Sequence, residues 1–206
     1  MSAVLFKSDI LFLQRILAVS GFYKGPLNGN WTDAVDAAEE ALLTTYEQIK
    51  QTLGAFDDRT ETNIKSLIPA AQRKAREFMK VASTFPLTCR IISGTRTYAE
   101  QDELYKIGRT IQKDHPKVTN AKGGQSNHNF GIAWDIGIFD GKKYYEGRSK
   151  KEEKAYIDLS KIIKANVSDL EWGGDWKFID RPHYQLVTGK SESKVRALLE
   201  AGKAYV

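Results

Sequence analysis

Cysteine is nearly absent: Cys89 is the only one in 206 residues, so no disulfide can form within the chain. The fold must stand on its core, with or without a metal. Long hydrophobic runs are missing as well. No stretch approaches the roughly eighteen uncharged apolar residues that a membrane-spanning helix requires, so no stable membrane insertion is expected. The N-terminal run from Met1 to Leu13 is interrupted by Lys7 and Asp9 and lacks a small-residue cleavage site, which argues against a Sec-type signal peptide. Histidine is scarce, three in the whole chain, so the setting of each carries weight. What is present is a globular composition, 41% hydrophobic and 28% charged, which excludes disorder and collagen-like repeats.

The net charge of +5 is unevenly spread. Residues 1–68 carry 6 basic against 9 acidic side chains, and residues 69–206 carry 25 against 17. A basic C-terminal part fits a polyanionic partner such as nucleic acid, a membrane surface or bacterial cell wall; a merely solvated surface is the competing reading. No recognised nucleic-acid motif accompanies the charge, so no nucleic acid is expected as a partner.

Along the chain, Leu13, Ile16, Leu17 and Val19 fall on one helical face, and Gly21 to Pro26 and Asn28-Gly29 break the run. Thr32 offers an N-cap for a long helix towards Gln51, Gly54 stops it, and Thr60 or Thr62 could open a short helix before Pro69. From Pro69 the texture changes. A helix over 70–83 turns Phe78, Met79 and Ala82 inward, and a strand follows over 87–92. A helix is expected over 98–107, a loop over 110–126, a strand over 132–138 and a returning strand at Lys143 to Tyr145. A helix over 152–165, a strand over 183–187 and a helix over 192–201 complete the chain. This order predicts an α+β fold: a small antiparallel sheet flanked by helices over 69–206, preceded by a small helical module over 1–68.

Two of the three histidines sit in dense polar and glycine-rich settings. One runs from Ser126 through His128, Gly131 and Ala133 to Asp135; the other runs from Glu171 through Gly173, Gly174, Trp176, Asp180 and Pro182 to His183 and Tyr184. Two neutral imidazoles and a carboxylate from His128, Asp135 and His183 make a donor set that suits Zn²⁺ and leaves a fourth position for water. On a strand, Asp135 shares a face with the very small Ala133, which leaves room for an ion. Asp180, three residues before His183 with Pro182 between, can approach a metal-activated water as general base without binding the metal. Ser126 is a candidate for supporting the metal or substrate, with a simple turn hydroxyl as the alternative. Trp176 and Tyr184 are candidates for a substrate groove, with aromatic packing as the alternative. His115 reads as an exposed loop histidine, Cys89 as buried packing, and Trp134 and Trp172 as core.

Two resemblances follow from these residues. Leu13-Gln14-Arg15-Ile16-Leu17, Gly21-Phe22-Tyr23-Lys24-Gly25 and Asn28-Gly29-Asn30-Trp31-Thr32-Asp33-Ala34-Val35 resemble the helical peptidoglycan-binding repeat. That family usually has Asp-Gly where Asn28-Gly29 stands. More specifically, Ser126-x-His128 with Gly131, Ala133 and Asp135, then Trp172-Gly173-Gly174-Asp175-Trp176 and Asp180-x-Pro182-His183-Tyr184, resemble the D-Ala-D-Ala carboxypeptidase/VanY-like zinc peptidases. The likeness is greatest to the branch of phage endolysins and bacterial wall enzymes that cut L-alanyl-D-glutamate bonds. Ser93-Gly94-Thr95-Arg96-Thr97 with Glu100-Gln101, Leu104-Tyr105 and Gly108-Arg109-Thr110 also matches that family.

The resemblance implies His128, Asp135 and His183 as zinc ligands and Asp180 as the base. It implies Arg96 as the cation for the developing oxyanion or the substrate, a role that suits a permanently charged guanidinium, and Gln101 as a substrate-side or supporting residue. The function so implied is a monomeric zinc endopeptidase acting on peptidoglycan at the L-Ala–D-Glu bond. A D,D- or L,D-carboxypeptidase on the same site and a non-catalytic wall-binding protein are the rivals. Without a Sec signal, such a protein is expected to be made in the cytoplasm and to reach the wall by phage lysis or by injection.

Overall fold

The structure, a computed structural model, describes residues 6–206; the first five residues of the apolar run weighed above as a signal lie outside the described residues. The helices are α1 (Lys7–Val19), α2 (Asp33–Leu53), α3 (Asp58–Lys65), α4 (Pro69–Ala82), α5 (Tyr98–Lys106), α6 (Lys150–Asn166) and α7 (Glu192–Glu200). The strands are β1 (Thr88–Ser93), β2 (Ala133–Asp140), β3 (Lys143–Tyr144), β4 (Leu170–Trp172) and β5 (His183–Leu186). The chain divides into two compact units, each discontinuous in sequence.

One unit gathers the residues up to Thr45, Arg96–Gly131 and Thr188–Val206. Its core includes Leu17, Tyr23, Val35 and Ala38. Gln14 is buried because its amide organises the loop that follows α1: Nε2 donates to the Asn30 carbonyl at 2.8 Å, and Oε1 accepts from the backbone N–H of Asn28 (3.0 Å) and Gly29 (2.9 Å). Every polar atom of that amide is matched, which is what allows it to be buried. At the C-terminal end the buried Tyr205 hydroxyl donates to the Phe130 carbonyl.

The other unit holds Tyr46–Thr95 and Ile132–Val187. Its antiparallel sheet runs β1-β2-β5-β4, with β3 also paired to β2. Phe78 of α4 packs edge-on against Trp134 (6.0 Å between centroids) and Tyr184 (4.7 Å) and so covers one face. The edge strand β1 is closed by α3: Ile91 N–H donates to Thr60 Oγ1 at 3.2 Å, and Asn63 Nδ2 donates to the Ile91 carbonyl at 3.0 Å. Side chains thus occupy ladder positions that would otherwise invite a further strand.

The α+β expectation, a small antiparallel sheet flanked by helices, agrees with these elements. Two local expectations do not. The helix after Gly54 starts at Asp58 and is capped by Asp57, whose carboxylate accepts from Thr60 N–H at 3.2 Å and from the Thr60 hydroxyl at 2.7 Å, which leaves the Thr60 Oγ1 oxygen to accept from β1. Strand β4 escaped the sequence pattern because it is three residues long. Among the described residues no helix is long and apolar enough to cross a membrane.

Candidate metal centre

His128 sits in the 3₁₀ turn Asn127–Phe130, which local chemistry defines at both ends. Ser126 Oγ accepts from His128 N–H at 3.4 Å, and Gly131, at φ 68°, takes the left-handed conformation that closes the turn. Asn129 then ties this turn to the segment carrying Arg96. Its Nδ2 donates to the carbonyls of Arg96 (2.9 Å) and Thr97 (3.2 Å), its Oδ1 accepts from Gly124 N–H (2.9 Å), and Arg96 N–H donates to the His128 carbonyl (3.1 Å). Asn129 is fully buried and was passed over in the sequence, where an amide beside a histidine carries no distinguishing signal. Arg96 immediately precedes Thr97, the N-cap of α5, and lines an open groove with Glu100, Leu104, Ile107 and Ile111. Gln101 is buried, its Nε2 donating to Thr119 Oγ1 (3.2 Å) and the Ala121 carbonyl (2.9 Å); it braces the 119–121 loop.

Asp135 and His183 come from neighbouring strands, paired in register across β2 and β5. His183 Nδ1 lies 3.2 Å from Asp135 Oδ1, and its Nε2 lies 2.9 Å from Gln185 Oε1. Strand alternation explains the division of labour along β5: His183 and Gln185 share one face, whereas Tyr184 turns to the other, buried against Phe78. The structure therefore puts Tyr184 in the core. Trp176 stays on the histidine side, its ring 4.9 Å from the His183 ring. Asp180 is held by backbone bonds, its N–H donating to the Gly173 carbonyl (2.9 Å) and its carbonyl accepting from His183 N–H (3.3 Å).

Burial is the largest influence on His183 and disfavours its charged form. The Asp135 hydrogen bond and charge, with Gln185 and the charge of Asp180, outweigh it and raise the pKa above the ordinary histidine value. Burial pushes the Cys89 thiol far up, as suits packing rather than reactivity. His115 is exposed, its Nδ1 3.0 Å from the Pro116 carbonyl.

His128, Asp135 and His183 are brought together: one ligand atom from each lies within 4.8 Å of the others. The donor set fits a zinc-like divalent ion. Two ligands bound at about 2.0–2.1 Å in tetrahedral geometry are about 3.3 Å apart, close to the 3.2 Å between His183 Nδ1 and Asp135 Oδ1.

Comparison with known proteins places this geometry in context. Residues 119–186 match a family model described as D-alanyl-D-alanine carboxypeptidase, in the M15 peptidases. Over 125 residues the chain is 35% identical to peptidoglycan L-alanyl-D-glutamate endopeptidase CwlK of Bacillus subtilis, spanning 59% of this chain and 74% of that relative. The chain belongs to the M15 peptidase family. A solved structure, that of the Serratia marcescens L-Ala D-Glu endopeptidase ChiX, is similar at a TM-score of 0.45 and 22% identity, over 64% of this chain and 88% of that one. As an M15 member this chain is a metallopeptidase, and His128, Asp135 and His183 form a cluster able to hold the metal such a peptidase depends on.

Proposed function

We propose that this chain hydrolyses the L-Ala–D-Glu bond of peptidoglycan stem peptides, with His128, Asp135 and His183 as ligands of a zinc ion. The observation that carries the reading is the convergence of those three side chains, and the relative CwlK, named for that bond, supports the choice of substrate. A bound zinc ion would supply Lewis-acid polarisation of the scissile carbonyl and a water acidic enough to lose its proton near neutral pH. Asp180 takes that proton and returns it to the leaving amine. Its charge is already felt at His183, and its backbone is fixed by Gly173. Arg96 offers fixed donors to the oxyanion or a substrate carboxylate, while Leu104 and Ile107 give its groove an apolar wall. Trp176 packs beside the His183 ring. Ser126 and Gln101 act through backbone and loop support.

The same proposal assigns wall binding to the helical segment 1–68, with 69–206 as the catalytic part, acting as a monomer. The turn at Asn28-Gly29, organised by Gln14, is the part of that segment most like a peptidoglycan-binding repeat. The site of action is the periplasm or wall, reached by phage lysis or by injection.

Digestion of purified muropeptides by the zinc-loaded full chain tests the reading. New N-terminal D-Glu is the expected product. Release of terminal D-Ala alone would instead make the chain a carboxypeptidase, the activity for which its family model is named, and binding to sacculi with no cleavage would make it a wall-binding protein.

A further inference from the structure

Residues 96–131 fall within one compact unit, so the Arg96 groove and the His128 turn are built together. Arg96 N–H donates to the His128 carbonyl at 3.1 Å, and Asn129 Nδ2 donates to the Arg96 carbonyl at 2.9 Å. These bonds fix the head of the groove beside His128. From there the groove, of about 390 Å³, follows α5. Glu100, Glu103, Leu104 and Ile107 line it at the i, i+3, i+4, i+7 spacing of one helical face, and Ile111 joins them from the next loop.

The lining combines one guanidinium, two carboxylates and three aliphatic side chains. Such a set complements a ligand that carries a carboxylate, an aliphatic stem and an ammonium. The Glu100 cap uses only Oε2, which accepts from Thr97 N–H at 2.7 Å and from Thr97 Oγ1 at 3.0 Å. Glu103 Oε1 already meets an ammonium, Lys106 Nζ, at 2.6 Å. Both of those side chains are well exposed (63% and 46%), and a pair so exposed is weak and exchanges readily for another. Ile111 is exposed as well, so a ligand's methylene stem laid against it would remove apolar surface from water. The stem peptide offers the matching groups beyond the scissile bond. D-Glu keeps one free carboxylate, and a diamino acid after it carries methylenes ending in an amine.

We propose that this groove is the subsite for the residue after D-Glu, and that it selects a diamino acid whose side-chain amine is free. Arg96 holds the D-Glu carboxylate, Leu104, Ile107 and Ile111 cover the methylene stem, and Glu100 and Glu103 pair with the ammonium. The inference deepens the endopeptidase reading and rests on it. Its consequence concerns the state of the wall. Cross-linking acylates that amine and so removes its charge, which makes uncross-linked stems the preferred substrates.

Lysine-containing muropeptides, with the side-chain amine either free or acetylated, test it on the zinc-loaded full chain. The wild type should form N-terminal D-Glu from the free-amine substrate with kcat/KM about fivefold higher. That advantage should shrink as salt is raised, because exposed pairs are screened. The double variant Glu100→Gln/Glu103→Gln keeps the shape of both side chains and a group able to serve the cap. It should bring the two kcat/KM values to within about twofold of each other. A partial loss of folding or of zinc lowers both rates together and cannot change their ratio. Equal kcat/KM on the two substrates in the wild type overturns the inference without any variant and leaves the endopeptidase reading intact. A preference that persists unchanged in the double variant or at high salt overturns it too, since the bulk of the acetyl group would then be the cause. If neither substrate yields N-terminal D-Glu, the endopeptidase reading fails and the inference fails with it.

Discussion

Asp135 and His183 stand directly opposite each other across the β2–β5 ladder, with Oδ1 and Nδ1 3.2 Å apart on the same face. The sheet brings these two side chains, 48 residues apart in sequence, together as a cross-strand pair. Asp135→Asn keeps the shape and removes the charge. Equilibrium dialysis should show zinc affinity reduced by more than the about 10–100-fold typical of an outer partner, with the far-ultraviolet circular dichroism unchanged.

Asp180→Asn removes the proposed base and keeps the backbone bonds that fix its loop. Muropeptide cleavage should fall about 10²–10⁴-fold while zinc content stays at wild-type stoichiometry. A variant that loses zinc along with activity would identify Asp180 as a ligand instead.

Gly173→Ala tests the loop itself. A Cβ on Gly173 would run into the Asp180 carbonyl oxygen and would lie 3.1 Å from His183 Cβ. The added methyl must displace the segment carrying the base. The expected outcome is a loss of activity of about 10²-fold, the scale for misplacing a reacting group by about 1 Å, with little change in the melting temperature.

Away from the site, Arg76 is fully buried and pairs with Glu61: Nη1 meets Oε1 at 2.9 Å and Nη2 meets Oε2 at 2.7 Å, while Tyr46 Oη donates to Oε2 at 2.5 Å. Burial acts to raise the Glu61 pKa. The hydrogen bonds from Arg76, Tyr46 and Phe56 N–H, with the Arg76 charge, outweigh it and hold the carboxyl below its ordinary 4.5. A carboxylate whose folded pKa is depressed stabilises fully above its unfolded value, and that stabilisation is lost as pH falls through the lower folded value. Urea unfolding should therefore show stability declining below about pH 4.5, and Glu61→Gln should flatten that decline. Arg76→Met, which strands a buried carboxylate, should cost about 3–5 kcal/mol at neutral pH.

Much of this protein was legible in its residues. Helical periodicity located α4, with Phe78, Met79 and Ala82 inward, because burial on one helical face leaves a repeating mark. The halves of the site, around His128 and around His183, stood out because glycine, histidine and aspartate in one short stretch are a poor recipe for packing alone. Asn129, Glu171 and Gln185 left no such mark. Their importance lies in which atom faces which, and an amide reads the same in sequence whether it is solvated or locked between a carboxylate and an imidazole.

The residues by themselves determined most of the elements, the α+β class and the chemical types available for a metal site, since each follows from local periodicity, capping and side-chain chemistry. Tertiary structure alone decided that Asp135 meets His183 across a ladder, that Tyr184 turns into the core while Gln185 turns towards the histidine, and that Glu171 stands behind Gln185. The reason is strand register: one residue of slip would exchange the two faces of β5 and dismantle the site without altering any local preference.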